Sequence, residues 1–264
     1  MIKIYQNGEE FYNDNKDFLL QNKHIEAFFR LDSPLLKEVN KEEYALKVYD
    51  DVHTLAVLLK EPYNLLLYGD KELTNELVDF LVDNNYKIKN YLCDTVLGDE
   101  LLKSFNKKGI PFVLSIGMDF MDAHNKYPID TSIVEPAKEE DLEEIFPLIV
   151  AFYKDCGLND AILKDKIKER LLDFRVIRKD GHIISMAKLG SWTPEEMKVS
   201  YVYTKDEYRG MGYAKIVVAH VLNEIIDRGY IATLNVDQKN PISYHIYSSL
   251  GFKKIFSQGV YVKK

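Results

Sequence analysis

The sequence predicts an α/β protein built in two consecutive halves. Short apolar runs of strand length alternate with longer stretches in which apolar residues recur at the helical period. The second half repeats the kind of alternation of helices and strands that the first half has. Between them lies a polar and aperiodic stretch, Asp122–Asp130, which contains Pro128. Such a stretch predicts a domain boundary. The expected domains are residues 1–125 and 131–264.

Helical spacing dominates the first 50 residues, whereas two apolar runs on either side of Pro62 predict a strand hairpin. Asp70 is expected to cap the helix that follows it. The predicted elements of this half are helices Glu9–Leu20 and Lys23–Leu36, strands His53–Leu59 and Asn64–Tyr68, a helix from Asp70 to Asn84, strand Ile88–Cys93, a helix that includes Asp99–Phe105, and strand Pro111–Met121.

The second half contains a tight hairpin turn at Asp180-Gly181 between two of its strands. Its predicted elements are a strand from Ile133–Glu135, helices Glu139–Tyr153 and Asn159–Phe174, strands Arg175–Arg178, His182–Gly190 and Met197–Thr204, helix Met211–Arg228, strand Tyr230–Val236, helix Pro241–Leu250, and a final pair of strands within Phe252–Val262.

Composition argues against several functional classes. The formal net charge is −7 and Lys and Arg are not clustered, so no nucleic-acid partner is expected. Two cysteines, Cys93 and Cys156, are too few for a disulfide scaffold, and no His, Cys or Asp cluster has the spacing of a metal site. No apolar run has the length of a membrane span, and the first residues lack the apolar core of a signal peptide. We therefore expect a cytoplasmic protein with no membrane partner and no metal.

The most informative stretch is Val199–Ala214, where a predicted strand leads into a glycine-containing turn and then a helix. Gly210 and Gly212 permit backbone conformations that other residues avoid, so several N–H groups can face one point. A helix N-terminus adds unpaired donors and about half a positive charge. These features predict a site for an anionic group such as a pyrophosphate.

Two common phosphate-binding motifs do not fit this loop. The third glycine and the downstream acid of a dinucleotide fingerprint are lacking, and no Gly-Lys-Ser/Thr follows as in a Walker A loop. A tight turn that needs glycine only for its conformation is the alternative explanation. The loop by itself leaves that alternative open.

A second motif lies further along the chain, in the stretch that runs from Asn240 to Phe252. Asn240 is a suitable helix cap, Pro241 suits the first helical position, and Gly251 suits the helix end. Ser243 and Tyr247 are four residues apart, so they share one face of the helix.

The two motifs resemble those of the GNAT superfamily of N-acetyltransferases. Arg209-Gly210-Met211-Gly212-Tyr213-Ala214 resembles the R/Q-x-x-G-x-G/A pyrophosphate loop, and the Asn240 helix resembles the second signature helix. The resemblance covers roughly residues 131–264 and implies the acyl-CoA N-acyltransferase fold, a mixed and mostly antiparallel sheet flanked by helices. The first half lacks the glycine loop. It resembles a degenerate copy of the same fold, with an unrelated α/β domain as the alternative.

The resemblance implies a role for each residue of the motifs. In the family, the strand before the loop pairs with the pantetheine arm, the loop amides hold the pyrophosphate, and a tyrosine protonates the departing thiolate. The matching positions are Val202, Tyr203 and Thr204 for the strand, Arg209, Gly210, Met211, Gly212, Tyr213 and Ala214 for the loop, Asn240 and Ser243 near the pantetheine or the phosphates, and Tyr247 for the acid.

The implied activity is transfer of an acetyl group from acetyl-CoA to a primary amine, by direct attack in a ternary complex. A general base is not assigned, because Glu195, Glu196 and Tyr201 all lie on or before the strand that leads to the loop. The acceptor is not identified, and a homodimer is left open. A non-catalytic acyl-CoA binding or sensing protein is the alternative function, and a nucleotide-binding protein that uses the same loop is a third.

Overall fold

The computed structural model describes residues 1–157 and 162–264. The chain divides into two compact units, one formed by Met1–Asp119 with Phe256–Lys264 and the other by Phe120–Ile255. The predicted domains, 1–125 and 131–264, place the C-terminal residues differently, because Phe256–Lys264 belongs with the first unit. Those domains stay a prediction about which segments fold independently.

The first unit is a sheet in which successive strands pair antiparallel, except that β5 lies parallel to β4. Its elements are β1 (Ile2–Ile4), α1 (Gly8–Leu19), α2 (Lys23–Asp32), β2 (Tyr44–Tyr49), β3 (Thr54–Leu59), β4 (Leu65–Gly69), α3 (Thr74–Asp83), β5 (Tyr91–Asp94), α4 (Thr95–Lys107) and the first part of β6 (Phe112–Ala123). The last strand of the chain, Lys253–Lys263, pairs antiparallel with β5 and completes this unit.

The hairpin around Pro62 is confirmed as β3 and β4, but two expectations for this half are wrong. The first 50 residues are not all helical, because β1 and β2 pair within them and both faces of β2 are buried. Asp70 does not cap a helix with its side chain. Its carboxylate instead accepts a hydrogen bond from the Thr54 amide at 2.8 Å, so α3 begins only after a 3-10 turn at Lys71–Leu73.

The second unit has the same order of elements as the first. They are β7 (Val134–Pro136), α5 (Leu142–Asp155), α6 (Lys164–Lys168), β8 (Phe174–Lys179), β9 (His182–Thr193), β10 (Glu196–Thr204), α7 (Tyr213–Asp227), β11 (Ile231–Asp237), α8 (Pro241–Ser249) and the start of β12 (Lys253–Lys263). Neighbouring strands run in the order β7-β8-β9-β10-β11 and pair antiparallel, except that β11 lies parallel to β10.

The hairpin turn at Asp180-Gly181 is confirmed, and both residues have positive φ, +51° and +82°, as such a turn requires. The helix predicted from Asn159 begins outside the described residues. Its described part holds only the short α6 and a 3-10 turn, because Leu171–Asp173 winds more tightly before β8. The predicted final strand pair is wrong, since Lys253–Lys263 is one continuous strand.

Both units therefore repeat one topology: a strand, two helices, three antiparallel strands, a helix, a strand parallel to its predecessor and a helix. This arrangement confirms the expected α/β class, with mostly antiparallel sheets flanked by helices. Within the second unit, alternate residues of the strands pack on opposite faces of the sheet. One face carries α7 and α8, and the other carries α5 and α6.

In the described part of the chain, no helix combines the length and the apolar character that crossing a membrane requires.

Candidate functional site

The two parallel strands of the second unit separate part of the way along their length. β10 pairs with β11 from Glu196 to Lys198, opposite Ile231 to Thr233. β10 then continues to Thr204 and β11 to Asp237, with no further pairing between them in the described residues. Backbone groups on the facing edges of the two strands are therefore available to an extended ligand.

A β-bulge lies in β10 where the strands separate. The ladder with β9 passes from Ser200 opposite Lys188 to Tyr203 opposite Met186, so Tyr201 and Val202 together oppose one residue. Tyr201 has a φ of +50°, which is uncommon for a side chain of this size. Its ring packs against Phe174 and other aromatic side chains of this face at centroid distances near 6 Å, which holds the unusual backbone conformation in place.

The end of β10 is fixed to β9 by hydroxyl groups. The side chain of Thr204 lies 2.8 Å from that of Ser185, and the Ser185 hydroxyl also donates to the Tyr203 carbonyl at 3.3 Å. Val202 packs against the core on the α7 face, together with Tyr213 and Tyr247. Val202 and the start of α7 are thus held by one core, whereas Tyr203 packs on the opposite face of the sheet.

The turn before α7 leaves its backbone donors unused. Helix α7 begins at Tyr213 and no side chain caps its N-terminus. Among the residues that the structure describes, none accepts a hydrogen bond from the amides of Gly210 through Ala214. The first carbonyl of the helix is that of Gly212, which accepts from the Ile216 amide at 3.1 Å. Unpaired amides at a helix N-terminus attract anions, because the helix dipole adds partial positive charge there.

Gly210 and Gly212 adopt backbone conformations that favour glycine, with φ of +76° and +85°. A Cβ atom built at either position meets no other atom within 4 Å. Both glycines therefore serve the backbone conformation, and the space beside them is open. A side chain at these positions would occupy the volume that a ligand needs to approach the amides.

Arg209 is committed to contacts within the protein. Its guanidinium donates to the Thr204 carbonyl at 3.0 Å and to the Asp155 carboxylate at 2.5 Å, and it also lies 2.9 Å from Asp206. It stacks over the Tyr203 ring at 5.4 Å. Arg209 thereby ties the turn to the end of β10 and to α5. The sequence gives no signal for the contact with Asp155, because Asp155 lies 54 residues before Arg209, on another helix.

Helix α8 is capped as the sequence predicts. The Asn240 side chain accepts a hydrogen bond from the Ser243 amide at 3.0 Å, and Pro241 occupies the first helical position. This bond engages the Asn240 side-chain oxygen in the helix cap. Asn240 therefore orients α8.

Tyr247 is buried, with 8% of its surface exposed. Its ring meets Phe252 edge-on at a centroid distance of 6.2 Å. Burial raises the pKa of the Tyr247 phenol to about 12, against the lowering effect of a hydrogen bond from Ser243. The phenol is therefore protonated throughout the physiological pH range and can act as a proton donor.

The three residues considered for a general base lie in different surroundings. Glu195 is exposed in the turn that precedes β10, Glu196 is buried at the start of β10, and Tyr201 lies in the bulge. The Tyr201 hydroxyl is 3.4 Å from that of Tyr153. Within residues 1–157 and 162–264, no group of three His, Cys, Asp or Glu side chains is arranged to hold a metal ion.

Comparison with known proteins shows which family model and which folds the chain resembles. Residues 181–262 match the family model described as FR47-like protein. An acetyltransferase from the GNAT family of Colwellia psychrerythraea shares the fold at a TM-score of 0.60 and 13% identity, with 100% of this chain and 99% of that chain covered. No curated protein matches the chain.

Two further structures have a similar fold. A GCN5-related N-acetyltransferase from Sphaerobacter thermophilus gives a TM-score of 0.59 at 14% identity, covering 86% of this chain and 81% of its own. A Drosophila protein gives a TM-score of 0.59 at 8% identity, covering 100% and 98%. Residues 181–262 therefore match the FR47-like family, and the chain along its whole length has the fold of GNAT-family structures.

Proposed function

We propose that the protein is an acyl-CoA-dependent N-acyltransferase that transfers an acetyl group from acetyl-CoA to a primary amine. The observation that carries the proposal is the row of unpaired amides from Gly210 to Ala214 at the start of α7. Backbone donors that converge at a helix N-terminus suit a diphosphate, which is the most highly charged part of coenzyme A near its pantetheine arm.

The surroundings of the turn fit this ligand. The volume beside Gly210 and Gly212 is open, so the backbone is accessible to a bulky anion. The strand end at Val202 through Thr204 leads from the turn toward the point where β10 leaves β11. An extended pantetheine arm can add hydrogen bonds to such an unpaired strand edge.

When bound, the acyl donor supplies a thioester carbonyl that a neutral amine can attack. The Val202 amide lies in the bulge, where the regular ladder with β9 is interrupted, and it is our candidate for stabilising the negative charge on the carbonyl oxygen. Fixing the two reactants side by side supplies much of the rate, and no covalent intermediate with the protein is needed.

Tyr247 is our candidate for protonating the thiolate that leaves. Its raised pKa, about 12, keeps the proton on the phenol until a strong base forms nearby. Ser243, one turn earlier on the same face of the helix, is our candidate for orienting the phenol oxygen. The amine loses its own proton to a base that we do not assign. We place the activity in the cytoplasm.

Free thiol released from acetyl-CoA, measured with a panel of primary amines, tests the proposal. We expect release that depends on the amine. Coenzyme A binding without release by any amine would favour the sensing role instead. Thermal stabilisation by ATP or NAD as large as that by coenzyme A would contradict the assignment of the turn to coenzyme A.

A further inference from the structure

Two lysines lie side by side on the sheet face opposite α7. Lys188 of β9 is paired with Ser200, and Lys198 of β10 is paired with Gly190. Directly paired residues point to the same face of a sheet, and so do residues two apart on one strand. Lys188 and Lys198 are therefore diagonal neighbours on the face that carries α5 and α6.

The two ammonium groups lean toward one patch. A Cβ built at Gly190 would lie 3.6 Å from Lys188 Nζ, which places that ammonium over the residue paired with Lys198. Lys198 Nζ lies 4.1 Å from the Trp192 ring centroid and 5.6 Å from that of Phe120. Aromatic faces attract a cation but do not neutralise it.

Among the described residues, neither ammonium forms an ion pair with a carboxylate. Burial lowers the pKa of both lysines, that of Lys198 to about 8, while the more distant Asp173 partly opposes the effect on Lys188. An apolar side chain would fill the same volume without the cost of removing a charge from water. Two such lysines on one patch indicate a site for an anion.

A third polar group on this face lacks a partner. Asn235 is two residues beyond Thr233, which pairs with Lys198, so it points to the same face. Its side-chain oxygen is buried and accepts no hydrogen bond from the described residues. Asn235 lies on the part of β11 that has separated from β10. A donor that enters between the strands from this face would meet that oxygen.

These groups follow one another along the sheet toward the bulge. Lys198 comes first, Lys188 and Asn235 lie level with each other two residues further along, and the bulge at Tyr201 and Val202 follows on β10. The order matches a small molecule with an anionic end at the lysines and an amine at Asn235. Such a molecule presents its amine to a carbonyl held at Val202.

We propose that the acceptor is a small amine that carries a carboxylate, in the manner of an amino acid, and that Lys188 and Lys198 bind the carboxylate while Asn235 orients the amine. This inference rests on the proposed N-acyltransferase function. In the transfer, the C–N bond forms as the C–S bond breaks, and the thiolate takes up a proton while the amine gives one up.

To test this inference, the 264-residue protein is incubated with acetyl-CoA and each common amino acid in turn. A parallel series replaces each amino acid by its amide. Thiol release gives kcat/KM for each pair. We expect at least one amino acid to exceed its amide by about tenfold or more, as loss of a charge-assisted contact predicts. Equal or faster reaction of the amides would overturn the inference and leave the transferase function intact.

Variants assign the effect to the lysines. Lys188→Met and Lys198→Met should each lower kcat/KM for the amino acid about tenfold or more, chiefly through KM, and leave kcat/KM for the amide unchanged. Lys126→Met, at an exposed lysine, is the control and should change neither value. An equal loss for acid and amide would show that the lysines serve the fold, which would contradict the proposed carboxylate contact.

A binding measurement separates the two proposals if no amine releases thiol. Thermal melting of the coenzyme A-loaded protein is then followed with the same amino acids and amides. Stabilisation by an amino acid that Lys198→Met abolishes would support the carboxylate site while the transferase function failed. Absence of both thiol release and stabilisation would overturn both proposals.

Discussion

Tyr261, near the C-terminus, stacks on Tyr91 of the first unit with ring centroids 4.7 Å apart and ring planes 9° apart. Tyr261 is fully buried, and Gly98 leaves the space for it, since a Cβ there would lie 2.2 Å from the tyrosine ring. Backbone pairing of β12 with β5 places the ring at this position. The final strand is therefore part of the core of the first unit.

Tyr261→Ala should lower the free energy of unfolding by about 3–5 kcal/mol, because it removes a buried aromatic ring and leaves a cavity. Urea unfolding followed by circular dichroism measures the loss. Tyr230→Ala is the matched control, since Tyr230 is 38% exposed, and it should change stability by less than about 1 kcal/mol. Equal effects of the two substitutions would contradict the role of Tyr261 in the core.

Tyr247→Phe should reduce kcat at least about tenfold and leave the affinity for coenzyme A nearly unchanged, because only the proton donor is lost. Tyr244→Phe, at a partly exposed position on the same helix, is the control. With a phenol pKa of about 12, ionisation of Tyr247 should produce no fall in rate below about pH 10. An unchanged kcat in the Tyr247 variant would remove the tyrosine from the mechanism.

Lys198→Met should raise the free energy of unfolding at pH 7 by about 2 kcal/mol. The folded-state pKa of Lys198, about 8, is lower than the value of roughly 10.4 for a free lysine, so the unfolded chain binds more protons between these values. The cost of burying the ammonium is fully present below pH 8 and disappears as the pH rises toward 10.

Urea unfolding at pH 7 and pH 10 checks the sign, because the gain from Lys198→Met should be larger at pH 7. Ionisable groups on this face include Lys188 of β9 and the buried Glu196 of β10, together with Tyr201 and Tyr203, and Asp173 and Arg170 act on Lys188. Comparing the variant with the parent at each pH cancels their direct contributions. A gain that is the same at both pH values would mean that Lys198 keeps an ordinary pKa.

Local sequence signals predicted the parts of the second unit that depend on short-range chemistry. The Asp180-Gly181 turn, the Asn240 cap and the glycine turn before α7 all follow from residues within a few positions of each other. A helix begins later than predicted where another contact engages its expected cap. The Asp70 carboxylate, for example, accepts a hydrogen bond from the Thr54 amide. The α/β class itself followed from apolar periodicity.

Long-range relationships gave no such signal. The apolar pattern of the C-terminal strand is like that of the other strands in the second half, and nothing in it shows that this strand pairs with β5. The contact between Arg209 and Asp155 depends on how α5 packs. Lys188 and Lys198 look like exposed strand lysines in the sequence, and only the packing of the aromatic side chains around them reveals their burial.

The most direct test of the central claim compares coenzyme A binding by Gly212→Val and Gly229→Val in isothermal titration calorimetry. Both glycines have positive φ, +85° and +82°, and open space at Cβ, so both substitutions strain the backbone similarly. Only Gly212 adjoins the amides at the start of α7. We expect Gly212→Val to abolish binding of coenzyme A and Gly229→Val to retain it. Retained affinity in Gly212→Val would contradict the account.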